Sequence, residues 1–323
     1  MNKLKNLILN LLVIVTSSLI IFAACESFLR LKHRMIPNYD IEMWKYSKLL
    51  KKKSKNDKIG HTHIPNKSAT LQKIKIEINN IGQRGNLLDL SSLETYDRKI
   101  MFLGSSMLLG WGVENDKIFP SIVQKRAIKN NQKWLVLNGG VGNYNTARYV
   151  ENYLVNWSHI QIDDLIVAYF VNDSEILNTG KPSFLEKHTH IGVLIWKYVN
   201  SKKNIFKTSN TKNYYEKIYE NDYEGLIVAK NELKRLWSHC LKNDIKCKII
   251  LIPHVVKIDP YELNFINDSI TSFANQNKME TYDLLSDLQN LKNSQLTNNY
   301  QDQHLNAIGH NVLGHKIYEI LNK

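Results

Sequence analysis

Short apolar runs alternate with amphipathic stretches from Lys99 to the C-terminus, which predicts an α/β fold with helices on both faces of a parallel sheet. Three observations carry that prediction. The runs Ile100–Leu103, Trp134–Leu137, Leu165–Val171 and Cys247–Ile252 read as strands, the first two of them buried, and Glu280–Leu284 reads as a short strand. The segments Phe119–Asn130, Ala147–Trp157, Tyr223–Lys242, Tyr261–Asn275 and Asn306–Leu321 carry apolar residues at helical spacing. Right-handed crossovers then bring every strand's C-terminal end to one edge, and three of those ends carry Ser106, Gly140 and Asn172.

The chain opens on residues 7–24, an almost uninterrupted apolar run with Lys3 and Lys5 before it and Arg30, Lys32 and Arg34 after it. As a helix it is about 27 Å long, close to the hydrocarbon thickness of a bilayer. A cleaved signal wants small residues at both positions before the cut, and Phe22 spoils Phe22-Ala23-Ala24. The same residue hampers a lipoprotein signal ending at Cys25. An uncleaved membrane anchor over residues 1–34 is the better reading, although basic residues on both flanks split the orientation signal.

Residues 35–98 read as a basic juxtamembrane linker and N-terminal extension. Lys51-Lys52-Lys53 suits either a solvated face or contact with anionic head groups. The formal charge of +13 allows anionic partners, but stacking aromatics are not interleaved with the basic residues, which argues against nucleic acid. Leu71–Ile78 alternates apolar and polar, as a half-exposed strand or hairpin arm does. The remaining domain is 99–323, in which 174–222 lacks clear periodicity and reads as an insertion over the active-site edge. That insertion holds a short helix around Val193–Val199. Cys25, Cys240 and Cys247 are too few and scattered for a disulfide framework or metal cluster, and Cys240 and Cys247 read as buried thiols.

Lys99–Val113 concentrates the chemistry. A buried run breaks at Gly104, Ser105 and Ser106 follow, and Gly110 and Gly112 keep the nearby backbone thin. Acyl transfer needs a nucleophile, a base, an orienter for that base and donors for the oxyanion. Ser106 fills the first role, His304 the second and Asp302 the third. The Ser106 N–H, the Gly140 N–H on an unobstructed glycine turn and the Asn172 amide fill the last. Rival motifs fail on particular residues. Leu108 stands where a nucleophile elbow needs glycine, and no lysine follows Gly110 or Gly112 as a P-loop requires. Neither glycine pair has the third glycine of a dinucleotide fingerprint. His61/His63 and His188/His190 lack acid or thiol partners for a metal and read as surface residues. His310 and His315 read as structural, and His254 is the one rival base.

These motifs resemble the GDSL/SGNH hydrolases, over roughly Ile59 to Leu321. Gly104-Ser105-Ser106 matches the first signature with Ser105 in place of its aspartate, and Asn138-Gly139-Gly140-Val141 matches the second. Phe170-Val171-Asn172-Asp173 keeps the asparagine of the third, with Phe170 for its glycine. Asp302-Gln303-His304 matches the last with one residue between acid and base where two are often seen. Asn79–Gly85 is similar to a segment upstream of the serine in membrane-anchored members. The resemblance implies a flavodoxin-like three-layer sandwich with a five-stranded parallel sheet and a serine esterase working without a cofactor. It implies Ser106, Asp302 and His304 as catalytic residues and Ser106, Gly140 and Asn172 as the oxyanion hole. The expected substrate is a small acyl ester, such as acetyl, on a cell-envelope or exported carbohydrate, with the catalytic domain outside the cytoplasm. An O-acyltransferase using the same serine and a non-catalytic glycan-binding relative are the alternatives. The short acid–base spacing also leaves a Ser–His dyad open.

Overall fold

Each of the five apolar runs becomes a strand in the computed structural model, which describes residues 2–177, 183–203, 211–255, 258–299 and 302–323. The chain packs as two units, Met1–Lys45 with Gly180–Thr208, and Tyr46–Thr179 with Ser209–Lys323.

The first unit is built on helix α1, Asn2–Met35, whose stretch Lys3–Met35 is long and apolar enough to cross a membrane. Its large apolar side chains, Leu7 to Ile21 among them, are exposed, as a lipid-facing surface requires. At about 50 Å the helix is longer than a bilayer's hydrocarbon core, and most of its charged residues lie toward its C-terminal end. There the Glu26 carboxylate accepts the His190 and Ile191 N–H groups, both at 3.0 Å. Those groups open α7, His190–Lys203, and a carboxylate satisfies them as a cap does. This helix contains the one expected around Val193–Val199. It follows α6, Phe184–His188, which Ser183 and Glu186 start with a capping box. Of the expected insertion 174–222, residues 178–182 and 204–210 lie outside the described residues.

The second unit holds a five-stranded parallel sheet: β5 Arg98–Gly104, β6 Trp134–Gly140, β7 Asp164–Phe170, β8 Lys246–Ile252 and β9 Glu280–Asp283. Their spatial order is β6-β5-β7-β8-β9. Numbered from β5, this is the 2-1-3-4-5 order of the flavodoxin-like doubly wound fold. The switch point lies beside β5, where connections leave in opposite directions and a crevice opens above the strand ends. Helix α4, Phe119–Lys129, joins β5 to β6, with Pro120 in its first turn. Helix α5, Thr146–Asn152, starts on the Asn145 side chain and loosens into a π-helical turn, Tyr153–Trp157. Glu224–Lys242, Asn264–Gln276 and Ala307–Leu321 are the later helices of this unit. Register is tight at the functional edge: Gly104 pairs with Gly140 on one side and Ala168 on the other.

Two sequence expectations need correction. Residues 35–98 are not a linker throughout, because Tyr46, Leu50, Ile59, Leu71, Ile76 and Ile78 are buried in the second unit. Helix α2, Tyr39–Leu50, leads into β1, Lys51–Lys53, which pairs antiparallel with β2, His61–His63. The lysine run is therefore one arm of a two-stranded ribbon, with Lys52 and Lys53 exposed and Lys51 half-buried. The expected hairpin forms as β3, Lys67–Leu71, and β4, Ile74–Ile78, turning through Gln72 and Lys73 at φ 48° and 66°. Cys240 and Cys247, in turn, are a disulfide and not free thiols. The last turn of Glu224–Lys242 meets the start of β8, with the two Cα atoms 6.2 Å apart.

Candidate active site

Ser106 opens α3, the single turn Ser106–Leu109, directly past the end of β5. Its N–H is one of the helix's first amide groups, which have no intrahelical carbonyl to meet. Gly110 ends the turn at φ +73°, where a Cβ would meet the Ile118 side chain at 2.2 Å, so only glycine fits. Arg84 fixes the turn from below. Its guanidinium donates to the Leu109 and Gly110 carbonyls at 2.6 Å and to Val113 O at 2.5 Å. Burial lowers this arginine to about 10, so it stays cationic at neutral pH, held by carbonyl dipoles. Ser105, which stands where the resembling signature has aspartate, is buried, and its hydroxyl has no partner among the described residues.

The structure brings Ser106, His304 and Asp302 into one hydrogen-bonded chain. Ser106 Oγ lies 2.8 Å from His304 Nε2, and His304 Nδ1 lies 2.7 Å from Asp302 Oδ1. A carboxylate only accepts, so Nδ1 carries the proton and Nε2 takes the serine's. One intervening residue is enough because the turn folds back on itself. The His304 N–H also donates to Asp302 Oδ1 at 3.2 Å, and the Asp302 N–H to Asn299 Oδ1 at 2.9 Å. Asn298 Nδ2 donates to Asp302 Oδ2 at 3.2 Å and to Trp111 O at 2.8 Å, tying this turn to the serine loop. Gln72, at the tip of the β3–β4 hairpin, donates to the same carboxylate. Burial raises the Asp302 carboxyl, but the hydrogen bonds and charge of His304, with Gln72, outweigh it and leave the pKa lowered. Tyr300 and Gln301, just before this acid, lie outside the described residues.

The oxyanion side differs from expectation at Gly140. That residue ends β6 instead of sitting on an open turn, and its N–H donates to Asn138 Oδ1 at 2.9 Å. Asn138 Nδ2 in turn donates to Leu108 O at 3.0 Å, so one side chain links β6 to α3. The two backbones nearly touch: a Cβ on Gly140 would meet Leu109 N at 2.3 Å. Asn172 follows β7, and its side chain makes no hydrogen bond among the described residues; Oδ1 is buried and unpartnered. Its neighbour Asp173 is buried, accepts the Phe170 N–H at 3.3 Å, and is bonded to the Tyr149 hydroxyl. Burial, with the charge of Glu175, pushes the Asp173 carboxyl well above the usual range.

The other histidines sort by burial. His254, at the end of β8, stacks on Phe170 with ring centroids 5.9 Å apart. Burial, then the charge of His304, lowers it to about 4, and no acid pairs with it among the described residues. It is not the base. His63 and His190 are buried and His61 is half-buried, so the surface reading fails for all three. His310 is structural as expected, accepting the Phe119 N–H at 3.2 Å. Among the described residues no group of three or more His, Cys, Asp or Glu is arranged to hold a metal. Gln72, Asn298 and Arg84 escaped the sequence reading as site residues. Only Arg84 had a signal, inside the Asn79–Gly85 segment.

No family model and no curated protein matches the chain. Similar solved structures carry lipolytic and esterase names. A member of the lipolytic protein G-D-S-L family from Veillonella parvula DSM 2008 is 13% identical with TM-score 0.43, over 70% of this chain and 98% of that one. The lipase/acylhydrolase from Enterococcus faecalis is 10% identical with TM-score 0.45, over 69% and 95%. An acetyl xylan esterase is 18% identical with TM-score 0.44, over 69% and 99%.

Proposed function

We propose that the protein is a membrane-anchored serine esterase that removes small acyl groups, acetyl first among them, from a carbohydrate outside the cytoplasm. The single observation that carries the reading is the Ser106–His304–Asp302 chain, with links of 2.8 and 2.7 Å. In the reaction, Ser106 Oγ adds to the ester carbonyl as His304 Nε2 takes its proton. The oxyanion is met by the Ser106 N–H and the Asn172 amide; Gly140 N–H joins them by exchanging its bond to Asn138. His304 then protonates the departing alcohol, and a water, deprotonated by the same nitrogen, frees the acid and restores Ser106. Asp302 holds the imidazole in one tautomer and stabilises its charge.

The carbohydrate and the acetyl group follow the resemblance in the motifs. The placement outside the cytoplasm is supported by the long apolar helix near the N-terminus, ahead of a large C-terminal domain, and by the Cys240–Cys247 disulfide, a bond favoured in oxidising compartments. A serine-reactive phosphonate tests the chemistry. It labels Ser106 in the detergent-solubilised full chain and fails to label Ser106→Ala; labelling elsewhere, or none, overturns the reading. Fusions at Lys323 to an export-dependent and a cytosol-dependent reporter test the topology, and activity of the cytosolic one alone reverses it.

A further inference from the structure

The loop after β6 is held from behind by a ring of polar groups that the reaction above does not use. Tyr46, on α2, places its hydroxyl 2.9 Å from Gly142 N and 2.6 Å from His63 Nε2. His63 Nδ1 lies 3.1 Å from Gly82 O. A carbonyl only accepts, so Nδ1 is the protonated nitrogen and Nε2 accepts the Tyr46 hydroxyl proton. The tyrosine oxygen then accepts the Gly142 N–H. The proton order of the whole chain, Gly142 N–H to Tyr46 to His63 to Gly82 O, follows from the geometry.

The next peptide unit, on the other side of the Gly142 Cα, is held too. The Gly142 carbonyl accepts from His61 Nε2 at 3.0 Å, with Lys51 Nζ at 3.5 Å, and the Tyr144 hydroxyl donates to the His61 carbonyl. Burial pushes His61 and His63 down to about 3, so neither changes charge in the neutral range. The packing is as close as the bonding. A Cβ on Gly142 would meet the Tyr46 ring at 2.6 Å, and that ring lies 5.5 Å from the Trp111 ring of the serine loop. Gly142 is two residues past Gly140, and Val141 N bonds back to Gly104 O at 3.2 Å. Any shift of the Gly142 peptide therefore passes through Val141 to the backbone packed on α3.

We propose that Tyr46 and His63 are positioning residues that fix the oxyanion side of the site, making the segment before the sheet part of the catalytic apparatus. This rests on the esterase reading. A donor misplaced by a fraction of an ångström loses transition-state stabilisation while substrate binding is little affected. Tyr46→Phe removes one oxygen and leaves the ring packing in place. It strands the buried Gly142 N–H and the His63 acceptor.

The experiment uses the full chain in detergent. In Tyr46→Phe, kcat for an activated acetyl ester falls about tenfold, the size of one lost hydrogen bond, with KM nearly unchanged. Amide exchange of a peptide spanning 140–145 speeds up by a similar factor. His63→Leu behaves like Tyr46→Phe, and His63→Gln, which keeps an acceptor for Tyr46, recovers most of kcat. Unchanged exchange in Tyr46→Phe overturns the clamp, and faster exchange with wild-type kcat overturns its catalytic role. If wild-type turnover proves independent of Ser106, the esterase reading falls, and the exchange measurement alone decides the clamp.

Discussion

The two halves of the site are built differently. On the proton-relay side every polar atom of Asp302 is engaged: Oδ1 by His304, Oδ2 by Asn298, with Gln72 reaching the same carboxylate from the hairpin. On the oxyanion side, Gly140 N–H is already taken by Asn138, and the Asn172 side chain has no partner among the described residues. The Ser106–His304–Asp302 chain is complete without substrate, whereas in the proposed reaction the oxyanion side gains its hydrogen bonds as charge develops on one. Interactions made only in the transition state raise kcat, so losses on the oxyanion side should appear in kcat with KM little changed.

The largest effects belong to the relay. Ser106→Ala and His304→Ala should each lower kcat by about 10⁴-fold or more, and the double variant should be little worse, since these residues act as a unit. Additive losses would break the comparison. Asp302→Asn should cost about 10³- to 10⁴-fold, because an amide in that place favours the wrong tautomer. A loss under tenfold would reduce the relay to a Ser–His dyad. On the other side, Asn172→Ala should lower kcat by about 100-fold with little change in KM. If Asn172 only caps its loop, the variant loses thermal stability and keeps its activity per molecule, so both are measured on one preparation.

The smallest effect tests the hairpin's share. Gln72→Ala should cost a few-fold in kcat, by removing one of several hydrogen bonds that hold Asp302 ionised. The same carboxylate gives a stability signature. Its folded pKa lies below the unfolded value of about 3.9, so the stability it contributes is present above that pH and is lost as pH falls through the folded pKa. A Tm series below pH 5 should therefore show a shallower acid limb in Asp302→Asn than in wild type.

The second unit's sheet was legible because its central strands are buried and read as apolar runs, as at Ile100–Leu103 and Leu165–Val171. Ser106, His304 and Asp302 were legible from their positions past strand ends and beside each other. What escaped depends on contacts between residues far apart in sequence. Lys51–Lys53 looked solvated because charge hides a ribbon pairing with His61–His63, ten residues on. His63 looked exposed because its partners, Tyr46 and Gly82, come from two other segments. The joining of Gly180–Thr208 with Met1–Lys45 had no local signal, since Glu26 caps α7 across more than 160 residues. Gly140 was read as open because sequence shows a glycine's freedom and not the Asn138 side chain that meets it.

The most direct test of the relay is to trap the acyl-enzyme it forms. Full-length protein mixed with an activated acetyl ester and quenched in acid should carry acetyl on the peptide containing Ser106. Acetyl should be absent from that peptide in Ser106→Ala and in His304→Ala. Steady turnover by Ser106→Ala, or acetyl found on another residue of the wild-type protein, would contradict the account.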